Sequence, residues 1–83
     1  MKYMVTELIH RAKKAWYADG SIYVLLEDQK QLSFPVSLNQ KLSQASEAQL
    51  KHLELICNGT GIHWPDLDED LSILGVLEGR YGK

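Results

Sequence analysis

The 83 residues amount to a single domain, and at 45% hydrophobic, 24% charged and net charge -2 they exclude both wholesale disorder and a nonspecific phosphate-binding protein. The single cysteine, Cys57, excludes an internal disulfide and a cysteine-only zinc site within one chain. No apolar run is long enough to span a bilayer, and Met1-Lys2-Tyr3-Met4-Val5-Thr6-Glu7 lacks a signal-peptide pattern, so a cytoplasmic protein without membrane contact is expected.

A chain this short buries only about 60% of its unfolded surface, so homodimerisation would add to a thin stability margin. Its charge is uneven. Residues 1 to 52 carry seven basic and five acidic side chains, and residues 53 to 83 carry two basic and six acidic ones, so a basic partner would favour the C-terminal end.

Val5, Leu8, Ile9, Ala12, Ala15 and Trp16 fall at helical spacing, whereas Asp19-Gly20 signals a two-residue hairpin. Both readings are accommodated by a short helix or irregular arm over residues 4 to 11, with 1–8 irregular, leading into a strand from about Ala12 to Ala18. Ser21 to Glu27 is a second strand, with Ile22, Val24 and Leu26 alternating against Tyr23 and Leu25. Asp28-Gln29-Lys30 turns the chain, and Gln31 to Val36 returns as a third strand that Pro35 confines to an edge. A three-stranded antiparallel meander over residues 12 to 36 follows, with one face needing cover.

Ser37-Leu38-Asn39-Gln40 and Ser46-Glu47-Ala48-Gln49 each have the capping-box pattern, predicting helices over about Leu38 to Gln44 and Glu47 to His52. The first would bury Leu38, Leu42 and Ala45, the second Ala48, Leu50 and Leu53. Both are too short to stand alone and are expected on the open sheet face. Leu53 to Cys57 reads as a strand entering a turn at Asn58-Gly59, and Gly61 to Trp64 as a last short strand. Pro65 then redirects the chain. Asp66 with Glu69 three residues on predicts an acidic cap on a final helix, whose Leu71, Leu74 and Leu77 would dock on the core before Gly79 stops it. Residues 80–83 are expected to fray, and Cys57 is expected to be an inert, semi-buried thiol.

The chemically dense stretch is Gly61 to Leu71, which places His63, Trp64, Asp66, Asp68, Glu69 and Asp70 within eleven residues. One reading is structural, with His63 and Trp64 sealing a sheet edge while the acids cap a helix. A second makes these six residues a partner-binding surface, in which a partly exposed indole ringed by carboxylates meets a basic protein. A third is a metal-assisted hydrolase centred on His63 with ligands from Asp68, Glu69 or Asp70. Arg11, Lys13 and Lys14 beside Trp16 and Tyr17 are too few cations to bind nucleic acid through this domain alone.

Residues 61 to 79, Gly-Ile-His-Trp-Pro-Asp-Leu-Asp-Glu-Asp-Leu-Ser-Ile-Leu-Gly-Val-Leu-Glu-Gly, resemble the closing signature of a bacterial family catalogued as domain of unknown function 2442. Leu25-Leu26-Glu27-Asp28, Leu32-Ser33-Phe34-Pro35-Val36, Leu42 and Ala45 extend the resemblance over roughly residues 9 to 80. Asp28-Gln29-Lys30 departs from it, standing where the family usually has Asp-Gly-Arg. The resemblance implies a compact α+β fold, sometimes fused to a helix-turn-helix domain and often encoded beside a small partner resembling a ribonuclease toxin. It implies no catalytic activity and no cofactor. The expectation is a noncatalytic, antitoxin-like accessory module that pairs with a small basic partner. Its fold is expected to be α+β, a three-stranded meander extended by one or two strands and covered by short helices.

Overall fold

The computed structural model describes residues 11–82, so all of the expected N-terminal arm except Arg11 lies outside the described residues. Strands β1 (Ala12–Ala18), β2 (Ser21–Leu26) and β3 (Gln31–Pro35) form one antiparallel sheet in the order β1-β2-β3. The meander expected from alternation is present, with Ile22 opposite Phe34 and Val24 opposite Leu32 in register. Its first turn places both Asp19 (φ 47°) and Gly20 (φ 80°) in the left-handed region, as a two-residue hairpin of this twist requires. Its second turn holds Gln29 at φ 79°, a conformation in which a side chain is strained.

The later strands do not extend that sheet. Strands β4 (Glu54–Ile56), β5 (Gly61–Trp64) and β6 (Glu69–Ser72) form a second antiparallel sheet of their own. The turn between β4 and β5 runs through three consecutive left-handed residues, Cys57 (φ 53°), Asn58 (φ 61°) and Gly59 (φ 87°). A Cβ on Gly59 would stand 2.8 Å from the Ala12 carbonyl oxygen, so only glycine lets this turn close against the start of β1. The same turn leaves Cys57 exposed rather than semi-buried.

Helices α1 (Gln40–Ser43), α2 (Glu47–Lys51) and α3 (Ile73–Leu77) complete an α+β fold. The capping box at Ser46 is formed: its Oγ accepts from the Gln49 amide at 3.2 Å, and Gln49 Oε1 accepts from the Ser46 amide at 3.0 Å. The box expected at Ser37 is not. Val36–Leu38 form a 3-10 turn instead, and α1 starts at Gln40, where Asn39 Oδ1 accepts from the Leu42 amide at 2.9 Å. Leu38 is consequently 50% exposed, and Ala48 is exposed as well.

One core joins the layers. Ile22, Val24, Leu26 and Phe34 from the first sheet meet Ile62, Trp64 and Leu71 from the second, with Leu42, Leu50, Ile73 and Val76 from the helices. Burying each such side chain contributes about 1.5–3 kcal/mol. Within the tail expected to fray, Tyr81 packs on this assembly: its ring lies 5.0 Å from that of Phe34, and its carbonyl accepts from Asn39 Nδ2. Gly79 (φ 81°) ends α3 as expected. Among the described residues, no helix is long and apolar enough to cross a membrane.

Candidate functional site

Pro65 and the acids after it form a hairpin turn between β5 and β6 and do not start a helix. The Leu67 amide donates to the Trp64 carbonyl at 3.1 Å, and Asp68 takes φ 53° to bring the chain back. Helix α3 begins eight residues after Pro65, and its cap is Ser72, whose Oγ accepts from the Gly75 amide at 2.8 Å. Starting the helix there turns Ile73, Gly75 and Val76 inward and leaves Leu74 and Leu77 45% and 42% exposed, so of the expected stripe only Leu71 is buried.

Strand alternation divides the dense stretch into two faces. Ile62, Trp64, Glu69 and Leu71 turn inward, while His63 and Asp70 turn outward. Trp64 is fully buried at 0% exposure, and its Nε1 donates to the Leu50 carbonyl at 3.3 Å. The expected partly exposed indole is therefore corrected: Trp64 is a core side chain and offers no surface to a partner. Glu69 is largely withdrawn too, its side chain 12% exposed. It accepts from the fully buried Asn39 Nδ2 at 2.8 Å and pairs with Lys41 at 3.7 Å. Lys41 Nζ also donates to the carbonyls of Leu67 (3.3 Å) and Asp68 (3.2 Å), fixing the turn from α1.

The outward face carries a row of charge. His63 pairs in register with Glu54 on β4 and with Asp70 on β6, so the imidazole stands between two carboxylates across three strands. Its Nδ1 is hydrogen-bonded to Asp70, and its side chain is 26% exposed. The Asp70 hydrogen bond raises the His63 pKa above its ordinary value of 6.5, against a partial loss of solvation; the charges of Asp70, Glu54 and Asp68 add to the rise. Nearby, Asp66 pairs with His52 Nδ1 at 2.9 Å. Asp66, Asp68 and Asp70 are exposed.

Of the six residues singled out by the sequence, His63, Asp66, Asp68 and Asp70 thus share the surface, and Trp64 and Glu69 do not. The structure adds Glu54, His52 and Lys41. Glu54 could have been found from strand pairing, had β4 and β5 been registered; His52 and Lys41 lie 14 and 26 residues before their partners, with no local signal. Among the described residues, no three His, Cys, Asp or Glu side chains gather as metal ligands. The basic strand β1 is engaged in its own sheet: Arg11 pairs with Glu27 at 3.7 Å, and Lys14 lies 5.9 Å over Trp16, which stacks on Tyr23 at 5.6 Å.

Residues 12–82 match the family described as "Protein of unknown function (DUF2442)". The chain belongs to this family. Its fold recurs in two solved structures. A protein of unknown function from Rhodospirillum rubrum is 40% identical, with TM-score 0.82 over 88% of this chain and 90% of that one. An uncharacterised protein from Chromobacterium violaceum, solved in solution by NMR, is 29% identical, with TM-score 0.81 over 98% of this chain and 76% of that one. No curated protein matches the chain. In this DUF2442 chain, Gln29 holds the left-handed position of the second turn, where the family resemblance calls for glycine.

Proposed function

We propose that this chain is a noncatalytic interaction module, antitoxin-like, that pairs with a small basic protein through the outward face of its β5–β6 hairpin. The observation that carries the reading is the projection of Asp66, Asp68 and Asp70 from one hairpin, beside Glu54, on a turn held at its carbonyls by Lys41. Such a turn presents carboxylates at fixed spacing, which lowers the ordering cost of meeting a lysine- or arginine-bearing surface. The toxin-like character of the partner comes from the family resemblance alone. His63 belongs to the contact; Trp64 and Glu69 support it from within.

The test is a pull-down of the tagged chain from its native cell extract after nuclease treatment, followed by affinity measurement on the recovered pair. A stoichiometric basic partner is expected, and Asp68→Lys with Asp70→Lys should weaken it at least about tenfold, or about 1.4 kcal/mol. Asp19→Lys, on the first hairpin, should leave it unchanged. Affinity untouched by the double reversal would sink the proposal. Light scattering on the free chain reports self-association, the other contact expected of so short a domain, for which Leu38, Leu74 and Leu77 are exposed large apolar side chains among the described residues.

A further inference from the structure

We propose that His63 is a proton-operated clamp on the second sheet: as imidazolium it ties three strands together through flanking carboxylates, and as neutral imidazole it lets β6 and its acidic turn loosen from β5. The argument starts from register. Glu54, His63 and Asp70 are successive cross-strand partners, so their side chains leave the same face in one row. Asp68, at the turn, adds a third carboxylate whose charge reaches the imidazole. These are the charged groups that face it, one from β4, one from β6 and one from the turn.

Among the described residues, the other basic side chains around this turn are committed elsewhere. Lys41 is held by the Leu67 and Asp68 carbonyls and by Glu69, and His52 is paired with Asp66. Among the described residues, the charge on His63 therefore has no substitute on this face. β6 is four residues long, pairs with β5 alone and lies at the sheet edge; Glu69 and Leu71 hold its inner face, and on its outer face the tie described is that of Asp70 to His63. A neutral imidazole can still donate its Nδ1–H to Asp70, but it brings no charge to set against the three carboxylates. Deprotonation thus loosens the strand without abolishing the fold.

The sign follows from the raised pKa of His63. The clamp contributes fully below the unfolded value of 6.5 and is lost as pH rises through the higher folded value. The proposal is independent of the partner reading, because its readouts use the isolated chain.

The experiment is an NMR titration of the three imidazoles together with amide hydrogen exchange of β5 and β6, corrected for intrinsic rates, between about pH 5.5 and about pH 8.5. His63 should titrate above an unperturbed imidazole, and β6 protection should fall several-fold across that midpoint. In His63→Gln, which keeps a donor without a titratable charge, protection should be low and flat. Should that variant fail to fold, Asp70→Asn must lower the His63 midpoint. A His63 midpoint at or below 6.5 in the wild type, parallel loss of protection in wild type and His63→Gln, or a midpoint unmoved by Asp70→Asn would each overturn the clamp.

Discussion

Among the described residues, replacing Asn39, the fully buried polar side chain, should cost more than any other single polar change. Its side chain is fully buried, accepts from the Leu42 amide at 2.9 Å, and donates to Glu69 at 2.8 Å and to the Tyr81 carbonyl. The cap contributes about 1 kcal/mol. The bond to a charged carboxylate contributes about 1.5–3 kcal/mol and the bond to a carbonyl about 0.5–1.5 kcal/mol. Asn39→Ala should therefore lose about 3–5.5 kcal/mol, a large share of the roughly 4–12 kcal/mol that a domain of this size holds. Asn39→Ser separates the contributions, since its hydroxyl can still accept from Leu42 while both donated bonds are gone; about 2–4.5 kcal/mol should be lost. Urea unfolding followed by tryptophan fluorescence measures both. With a slope near 1 kcal/mol per molar, Asn39→Ala should lower the midpoint by roughly 3 M or unfold the chain outright. If Asn39→Ser lay within about 0.5 kcal/mol of wild type, the account of Asn39 as a junction between α1, β6 and the C-terminal residues would be refuted.

Substitutions at two further positions test the fold from other directions. Trp64→Ala should destabilise by about 3–5 kcal/mol in the same urea assay, and Trp64→Phe by less; an exposed contact residue would instead lower partner affinity with stability unchanged. Gln29→Gly should raise stability by up to about 1 kcal/mol by relieving the left-handed strain at φ 79°, and thermal unfolding that shows a loss would contradict the strain argument.

The legible parts of this chain are those that neighbouring residues decide. Alternation at Ile22, Val24 and Leu26 and the Asp19-Gly20 turn were enough for the first sheet, because hairpin pairing and turn chemistry are both local. The Ser46 box was legible for the same reason. Pro65-Asp66-Leu67-Asp68-Glu69 was ambiguous, since a proline followed by acids suits a helix start as well as a turn between strands. The choice falls to Glu69 and Leu71, which alternate inward toward Asn39 and the core. Burial of Trp64 was out of reach because an indole is at home both in a core and at its rim, and the Leu50 carbonyl that satisfies it lies 14 residues away. Asn39 falls inside the helix expected over Leu38 to Gln44, and by local pattern it is one of that helix's ordinary residues rather than its cap. Its partners stand 30 and 42 residues along the chain, and nothing local announces them.

The strand order has a kinetic consequence. Among the described residues, each strand pairs only with the strand next to it in sequence, in both sheets, and no strand crosses over another. Pairing therefore closes short loops, whose entropic cost is small, and neither meander has to wait for a distant segment to arrive. What remains non-local is the docking of one meander on the other. The Asn39–Tyr81 hydrogen bond spans 42 residues, so it closes a loop whose entropic cost the hairpin pairings do not carry.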